Sequence, residues 1–340
     1  MRALVITSAR HAEVQEVPWP VPSAGQLLVD VERVGICGTD VELFSGEMAY
    51  IQQGRTSFPL RPGHEWTGRV TAVGRAEDEI WIGRRVIGDT MLGCGRCEYC
   101  ESGRHHVCPR RCEVGVLDGW AGALAEQVLI PTRFAHRIPD SMTLSAAALV
   151  EPGGNSWRSV RAAAVSPGST LLVIGSGTIG LLAAQFALAA GADVHVAGAR
   201  PESLDLARAL GVRHTWMIDE LVSGREERFD AVIEATSDRS MPALAVQLTK
   251  PTGRVVYVGL AAAPSPIDTR TIALQDITAV GVLSASPGLA ATIDSFASGA
   301  VVPDPIVSEV IGLEDVPSRL AGLRGVLAGP GPKVHVNPRI

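Results

Sequence analysis

Ser169-Thr-Leu-Leu-Val-Ile-Gly175-Ser176-Gly177-Thr178-Ile179-Gly180 is the stretch that decides the fold. Its first six residues form an apolar, β-prone run suited to a strand buried on both faces. The next six read G-x-G-x-x-G, and the run from Ile179 to Ala190 has the length and composition of a helix. The glycine pattern carries weight only in this setting, with a strand before it and a helix after it. Gly175 permits a tight turn, Gly177 lets backbone approach a pyrophosphate, and Gly180 allows the helix to pack close to the strand. Ser176, Thr178 and Ile179 complete a helix N-terminus whose free amides suit phosphate.

Outward from this turn the same alternation continues. A strand is expected at Asp193 to Ala197 and a helix at Glu202 to Leu210. Further strands follow at Phe229-Asp-Ala-Val-Ile-Glu and Gly253-Arg-Val-Val-Tyr-Val258-Gly259. Alternating strands and helices imply a parallel, doubly wound sheet, the Rossmann type of α/β fold. Val258 and Gly259 join the glycine turn as cofactor-binding residues. At the end of the second strand an acidic residue ordinarily holds the ribose hydroxyls of NAD. That end falls at Gly198, with Arg200 two residues on. Glycine removes the carboxylate that would repel a 2'-phosphate, and arginine supplies a bidentate partner for one. The expected cofactor is NADP, with NAD possible.

Residues 1 to about 150 have a different texture. Short β-prone runs such as Leu27-Leu-Val-Asp-Val-Glu-Arg-Val, Gly68-Arg-Val-Thr-Ala-Val, Arg85-Val-Ile-Gly and Ala125-Glu-Gln-Val-Leu-Ile are bounded by Gly or Pro. This suits a compact, barrel-like β domain. Within it, Cys94, Cys97, Cys100 and Cys108 read C-x2-C-x2-C-x7-C in a segment broken by Gly93, Gly95 and Gly103. Four thiolates in so short a loop suit one tetrahedral, structural Zn2+ better than two disulfides. Cys112 falls outside the spacing, and His105 and His106 are surplus to a shell that four cysteines fill.

The 340 residues are 46% hydrophobic, enough for more than one core. The formal net charge of -6 argues against nucleic acid as a partner. The N-terminal apolar run is too short for a signal peptide, and no stretch is long enough to span a bilayer. Six cysteines without a secretory signal point to a reducing cytoplasm. Of the 30 basic residues only Lys250 and Lys333 are lysine, which reads as codon bias.

Three further residues have chemistry suited to a second zinc: Cys37 in Gly35-Ile-Cys-Gly-Thr-Asp, His64 in Pro62-Gly-His-Glu, and Glu151 in Val150-Glu-Pro. Spacing alone does not join them. With the Cys94–Cys108 loop and the Gly175–Gly180 turn, and in this order, these motifs resemble the zinc-containing medium-chain dehydrogenase/reductase superfamily, on its alcohol, polyol and threonine dehydrogenase side. The resemblance runs nearly end to end. It implies an N-terminal GroES-like catalytic domain over 1–152, a Rossmann domain over 153–292, and a segment over 293–340 that returns to the first domain. It places the catalytic zinc on Cys37 and His64, with Glu65 or Glu151 completing the shell. It makes Asp40 the partner that orients the ligand histidine, and Thr39 the hydroxyl that takes the alcohol proton. Two zinc ions per chain, a small alcohol or carbonyl substrate, and a homo-oligomer, dimer or tetramer, follow from the same likeness.

The implied reaction is hydride transfer between nicotinamide and a secondary alcohol or ketone, with a polyol, sugar or aminocyclitol as substrate. A biosynthetic aldehyde, imine or alkene reductase is the second reading, and a nucleotide-binding protein without turnover the third. Many relatives carry histidine three residues after the Thr39 position to end a proton relay; Glu42 stands there in this chain. After Val150-Glu-Pro, the sequence Gly153-Gly-Asn-Ser-Trp-Arg replaces the Leu-Ala-Val-Ala of many polyol dehydrogenases, which puts the local pocket shape in question. Phe44 to Phe58 is expected to border the active-site mouth, its aromatic and polar side chains suiting a hydroxylated substrate.

Overall fold

The computed structural model describes residues 1–222, 228–322 and 331–340. It begins with an antiparallel hairpin, β1 (Arg2–Ser8) and β2 (His11–Glu16). β3 (Gln26–Gly35) and β4 (Glu65–Val73) then pair antiparallel, with Gly35 opposite Glu65. β5 (Arg85–Gly88) is followed by a small pair, β6 (Met91–Leu92) with β7 (Cys112–Glu113), and by β8 (Gln127–Pro131) and β9 (Ala135–Arg137). Alternate residues Leu27, Val29 and Val31 of β3 are fully buried, so one face of this strand meets the core. Ala125, expected inside β8, instead forms an isolated bridge to Ala3, and the strand proper starts at Gln127.

The middle of the chain carries β10 (Thr170–Ile174), β11 (Asp193–Gly198), β12 (His214–Met217), β13 (Phe229–Glu234), β14 (Thr249–Tyr257) and β15 (Thr278–Gly281). They form one sheet in the order β12-β11-β10-β13-β14-β15, parallel throughout. This is the doubly wound arrangement, and its order reverses beside β10, where the glycine turn lies. Leu171 to Ile174 of β10 are all fully buried, as a central parallel strand requires. Leu172, Ile174 and Val232 anchor this core, while Leu27, Val29 and Trp66 belong to that of the first sheet.

The last strands, β16 (Val307–Gly312) and β17 (Lys333–Asn337), pair parallel with each other, and β17 pairs antiparallel with β3. They complete a seven-stranded sheet in the order β16-β17-β3-β4-β5-β9, with β8 also on β3. The chain thus forms two compact units. One holds Met1–Glu151 with the C-terminal strands, and the other holds Pro152–Val302. The expected return point at 293 falls inside the helix Leu289–Ala297, which stays with the second unit. Its buried Phe296 stacks on Phe186 of the helix Thr178–Ala189 at 6.0 Å between ring centres. Gly153 and Gly154 explain the departure after Val150-Glu-Pro: a Cβ there would lie 2.6 Å from Thr292 Cγ2 and 2.7 Å from Ala285 Cβ. These glycines let the helix Val150–Ala163 pack close to its neighbours. Among the described residues no helix is long and apolar enough to cross a membrane.

Candidate active site

The antiparallel register of β3 and β4 builds the first cluster. Because Gly35 faces Glu65, the chain leaving β3 toward Cys37 runs beside the chain entering β4 from His64. Ligand atoms of Cys37, His64 and Glu65 lie within 4.8 Å of one another. Gly35 is required here, since a Cβ would stand 2.2 Å from Glu65 Oε2.

Cys37 caps the helix Gly38–Ser45, and Asp40 holds the junction together. The Cys37 amide donates to Asp40 Oδ2 at 2.8 Å, and the Gly63 amide donates to Asp40 Oδ1 at 3.1 Å. His64 Nδ1 stands 3.8 Å from Asp40 Oδ1, beyond hydrogen-bond length. Asp40 is fully buried, and burial raises its pKa against the lowering effect of His64. Burial would also lower the pKa of His64, but the Cys37 sulfur and the charges of Asp40 and Glu151 outweigh it and hold the ring well above its ordinary value. Surroundings that favour a proton on His64 favour a divalent cation for the same reason. Sulfur, imidazole and carboxylate are zinc's usual donors, so the residues present fit that ion.

Thr39 Oγ1 stands 4.0 Å from Cys37 Sγ on the first turn of the same helix. Glu42, three residues on, lies half-buried along that helix face. Glu151 is 8% exposed, and Thr90 Oγ1 donates to its Oε1 at 3.5 Å. Burial first, then the neighbouring charges of Glu65 and Asp89, push its pKa up to about 7, against His64 and Lys333.

Lys333 is the residue sequence reading missed. Its Nζ donates to Glu65 Oε2 at 2.6 Å, to Glu65 Oε1 at 2.9 Å and to the Ile36 carbonyl at 2.9 Å. Both side chains are almost wholly buried. Burial alone would lower the ammonium pKa, but Glu65 and Cys37 outweigh it and raise it. The signal was in the composition: a chain that otherwise uses arginine keeps lysine here. A compact ammonium with three N–H groups fills this position, where a planar guanidinium would not fit the same acceptors. The other lysine, Lys250, likewise has a specific partner in Asp230, at 2.7 Å.

Cys94, Cys97, Cys100 and Cys108 form the second cluster, with all four sulfurs within 4.8 Å, and every cysteine is a free thiol. Gly93 makes room for it, since a Cβ would lie 2.9 Å from Cys100 Sγ. The Arg96 amide is the chief cause that lowers the Cys94 pKa to about 6, toward the thiolate a metal needs. Four converging thiols fit a closed zinc shell. His105 belongs elsewhere, 2.7 Å from Asp89 Oδ2, and Cys112 lies outside the set. Tyr50, expected at the mouth, is tied to this lobe: its hydroxyl donates to Glu113 Oε1 and accepts from Arg111 Nη2, each at 3.0 Å.

A third group, Asp193, His195 and His214, also lies within 4.8 Å. There Trp216 Nε1 donates to His195 Nδ1 at 3.1 Å, which leaves the proton of a neutral ring on Nε2, nearest Asp193. The two imidazoles also stack at 4.4 Å, so they cannot both point their lone pairs in-plane at one ion. This group is an aromatic stack at a sheet end, not a ligand set.

In the second unit, Gly175 has φ 114° and a Cβ there would meet the Ala235 carbonyl at 2.8 Å. A Cβ on Gly180 would meet the Gly175 carbonyl at 1.8 Å. Gly177 has nothing within 4 Å of that position, leaving open space in front of the helix N-terminus. β11 ends at Gly198, and Arg200 is exposed at the cap of the helix Pro201–Ala209. A Cβ on Gly198 would lie 2.3 Å from Ser176 Oγ, so this glycine also serves close packing of β11 on the glycine turn. Ser176 Oγ bonds Ser203 Oγ at 2.5 Å, and Ser203 Oγ donates to the Arg200 carbonyl at 2.8 Å, which fixes the backbone at Arg200. The Val258 and Gly259 amides both donate to the Glu234 carbonyl at 3.0 Å, at the same strand ends as the turn.

Known proteins carry the same combination. Residues 23–140 match the model of the alcohol dehydrogenase GroES-like domain, and residues 178–298 that of the zinc-binding dehydrogenase. The chain is 36% identical over 296 residues to L-threonine 3-dehydrogenase of Streptomyces avermitilis, covering 83% of this chain and 84% of that one. It is 29% identical over 300 residues to sorbitol dehydrogenase of Halalkalibacterium halodurans, covering 84% and 85%. A zinc-binding dehydrogenase structure from Sinorhizobium meliloti 1021, bound to NADP, superposes with a TM-score of 0.90 at 29% identity over 99% of both chains. Clusters, glycine turn and relatives agree: the chain belongs to the zinc-containing medium-chain dehydrogenase/reductase superfamily and is an oxidoreductase of its alcohol and polyol dehydrogenase kind.

Proposed function

We propose that this chain interconverts a secondary alcohol and its ketone, with a polyol, sugar or aminocyclitol as substrate and NADP as the preferred hydride carrier. The buried Cys37–His64–Glu65 cluster beside Thr39 is the observation that supports it most directly. A Zn2+ held there supplies Lewis acidity that lowers the pKa of a substrate hydroxyl. Cys37 and His64 are its ligands, and Asp40 fixes both by bonding the amides of Cys37 and Gly63. Glu65 converges with Cys37 and His64, but Lys333 bonds both its oxygens; Glu151, outside that 4.8 Å group yet electrostatically coupled to His64, is the third ligand we propose, with Glu65 as the buried charge beside it. Thr39 accepts the proton of the substrate hydroxyl and passes it toward Glu42 or solvent. The four-cysteine loop holds a second zinc that stabilises the fold. The turn from Gly175 to Gly180, with Val258 and Gly259, receives the dinucleotide.

Arg200 supports the NADP preference, exposed and carried on a backbone fixed by Ser203. The exposed edge strand β15, flanked by Leu274 and Leu283 (72% and 40% exposed), supports self-association into a homo-oligomer. The deciding experiment is a screen of secondary alcohols and ketones with both cofactors. Arg200→Asn should weaken NADP relative to NAD by about 10- to 100-fold in kcat/KM, the value of one charge-assisted bond. An unchanged ratio removes Arg200 from phosphate recognition. Gly198→Asp would not test the same point, because a side chain there would displace Ser176.

A further inference from the structure

A pocket of about 560 Å³ lies wholly within the first unit, between the segment 54–61 and the loop 115–121, and none of Cys37, Thr39, His64, Glu65 or Glu151 lines it. The size is that of a small-molecule site, typically about 300–1,000 Å³. Its two walls are fastened to each other. Thr56 Oγ1 donates to the Val116 carbonyl at 2.8 Å, and the Gly122 amide donates to the Arg61 carbonyl at 2.8 Å. The pocket is therefore already formed without a ligand.

Its lining carries three charged side chains. Arg55 and Asp118 pair at 2.9 Å and cancel. Arg61 remains: half-buried, with no side-chain hydrogen bond or ion pair to any described residue. Burial lowers its guanidinium pKa, and no neighbouring carboxylate offsets that cost. Its guanidinium N–H groups are not sealed from solvent and are not spent on the protein, so they are open to a ligand in the pocket. Trp120 gives its indole N–H to the Leu129 carbonyl at 3.1 Å, so it offers a ligand only its apolar ring. Leu60 and Val17 extend that apolar wall.

We infer that this pocket binds a small organic oxyanion, a carboxylate or phosphate on a ring-bearing or apolar body, with Arg61 clasping the anionic group and Trp120 the body. Guanidinium matches either group through two parallel N–H bonds. The pocket is a second ligand site, separate from the metal cluster.

The test is isothermal titration of the zinc-loaded full chain with benzoate and phenyl phosphate, with neutral benzamide as control. At least one of the two anions should bind wild type, and which one identifies the group; benzamide should bind far more weakly. Arg61→Met should lower anion affinity about tenfold or more, and Arg61→Lys should restore part of it. Because the Arg61 side chain bonds none of the described residues, the unfolding temperature should not move. Asp118→Asn releases Arg55 and should tighten anion binding; residue 118 has φ 56°, which asparagine tolerates. Absence of binding to wild type, equal affinity for benzamide, or unchanged affinity in both Arg61→Met and Asp118→Asn would overturn the inference.

Discussion

The four-cysteine loop takes all its donors from one short segment, all of one element, most of them half-exposed. The cluster at Cys37 instead draws on the end of β3, the start of β4 and the C-terminal strand β17. It mixes sulfur, imidazole and carboxylate, and lies almost entirely out of water. A set of thiolates close in sequence needs only the ion to bring it together, because loop closure over so few residues costs little. A mixed set from distant segments must be assembled by the fold first. The difference teaches that the loop should depend on its metal for structure, and the buried cluster on structure for its metal.

The largest expected effect tests that directly. Cys97→Ser should leave an insoluble or early-unfolding protein, since structural zinc binding contributes on the order of 10 kcal/mol in small zinc domains. Cys37→Ser should keep the wild-type unfolding temperature, contain one zinc fewer by elemental analysis, and lose turnover. A stable Cys97→Ser protein, or an unfolded Cys37→Ser one, breaks the contrast. Next in size is Lys333→Met, which strands Glu65 as a buried charge and should cost about 3–5 kcal/mol in urea unfolding. Glu65→Gln added to it should recover much of that loss. A cost below about 1 kcal/mol would show that water reaches Glu65 and that the cluster is not sealed.

Thr39→Val comes third. It should lower kcat about 10²-fold while leaving zinc content and stability unchanged. Turnover within a few-fold of wild type would move the proton path to Glu42. The smallest effect sharpens the comparison by asking whether the two regions are mechanically joined. Tyr50→Phe removes a hydroxyl shared by Glu113 and Arg111 and should cost about 1 kcal/mol in thermal unfolding. No change would mean the lobe and the segment around Tyr50 are held independently.

The same contrast explains what could be read from the sequence. The Cys94–Cys108 loop and the Gly175–Gly180 turn are local devices, and both lie where their spacing puts them. β5 and β13 begin and end at the residues their β-prone runs mark. Cys37 and His64 could be joined only by resemblance, because the register of β3 on β4 that joins them is tertiary. Lys333 stood out only as a rare lysine, and its role stayed hidden for the same reason: its partner Glu65 is set by the pairing of β17 with β3, not by anything near residue 333. β12 and β15, four residues each, are too short for an alternating pattern to emerge. The return of the chain at Pro303, later than 293, turns on how Phe296 packs, which hydrophobicity alone does not fix.

Lys333 also sets an order of events. During synthesis residues 1–151 emerge long before β17, so Glu65 leaves the ribosome without its counter-charge. The second unit, Pro152–Val302, has only local crossovers and can be complete while the first sheet still lacks two strands. Closing that sheet then requires a contact across 268 positions of sequence, the kind that forms slowly. A nascent chain stopped before residue 333 would have its dinucleotide fold and its cysteine loop, yet no neutralised carboxylate beside Cys37 and His64. The site can be finished only when nearly all of the chain has been made.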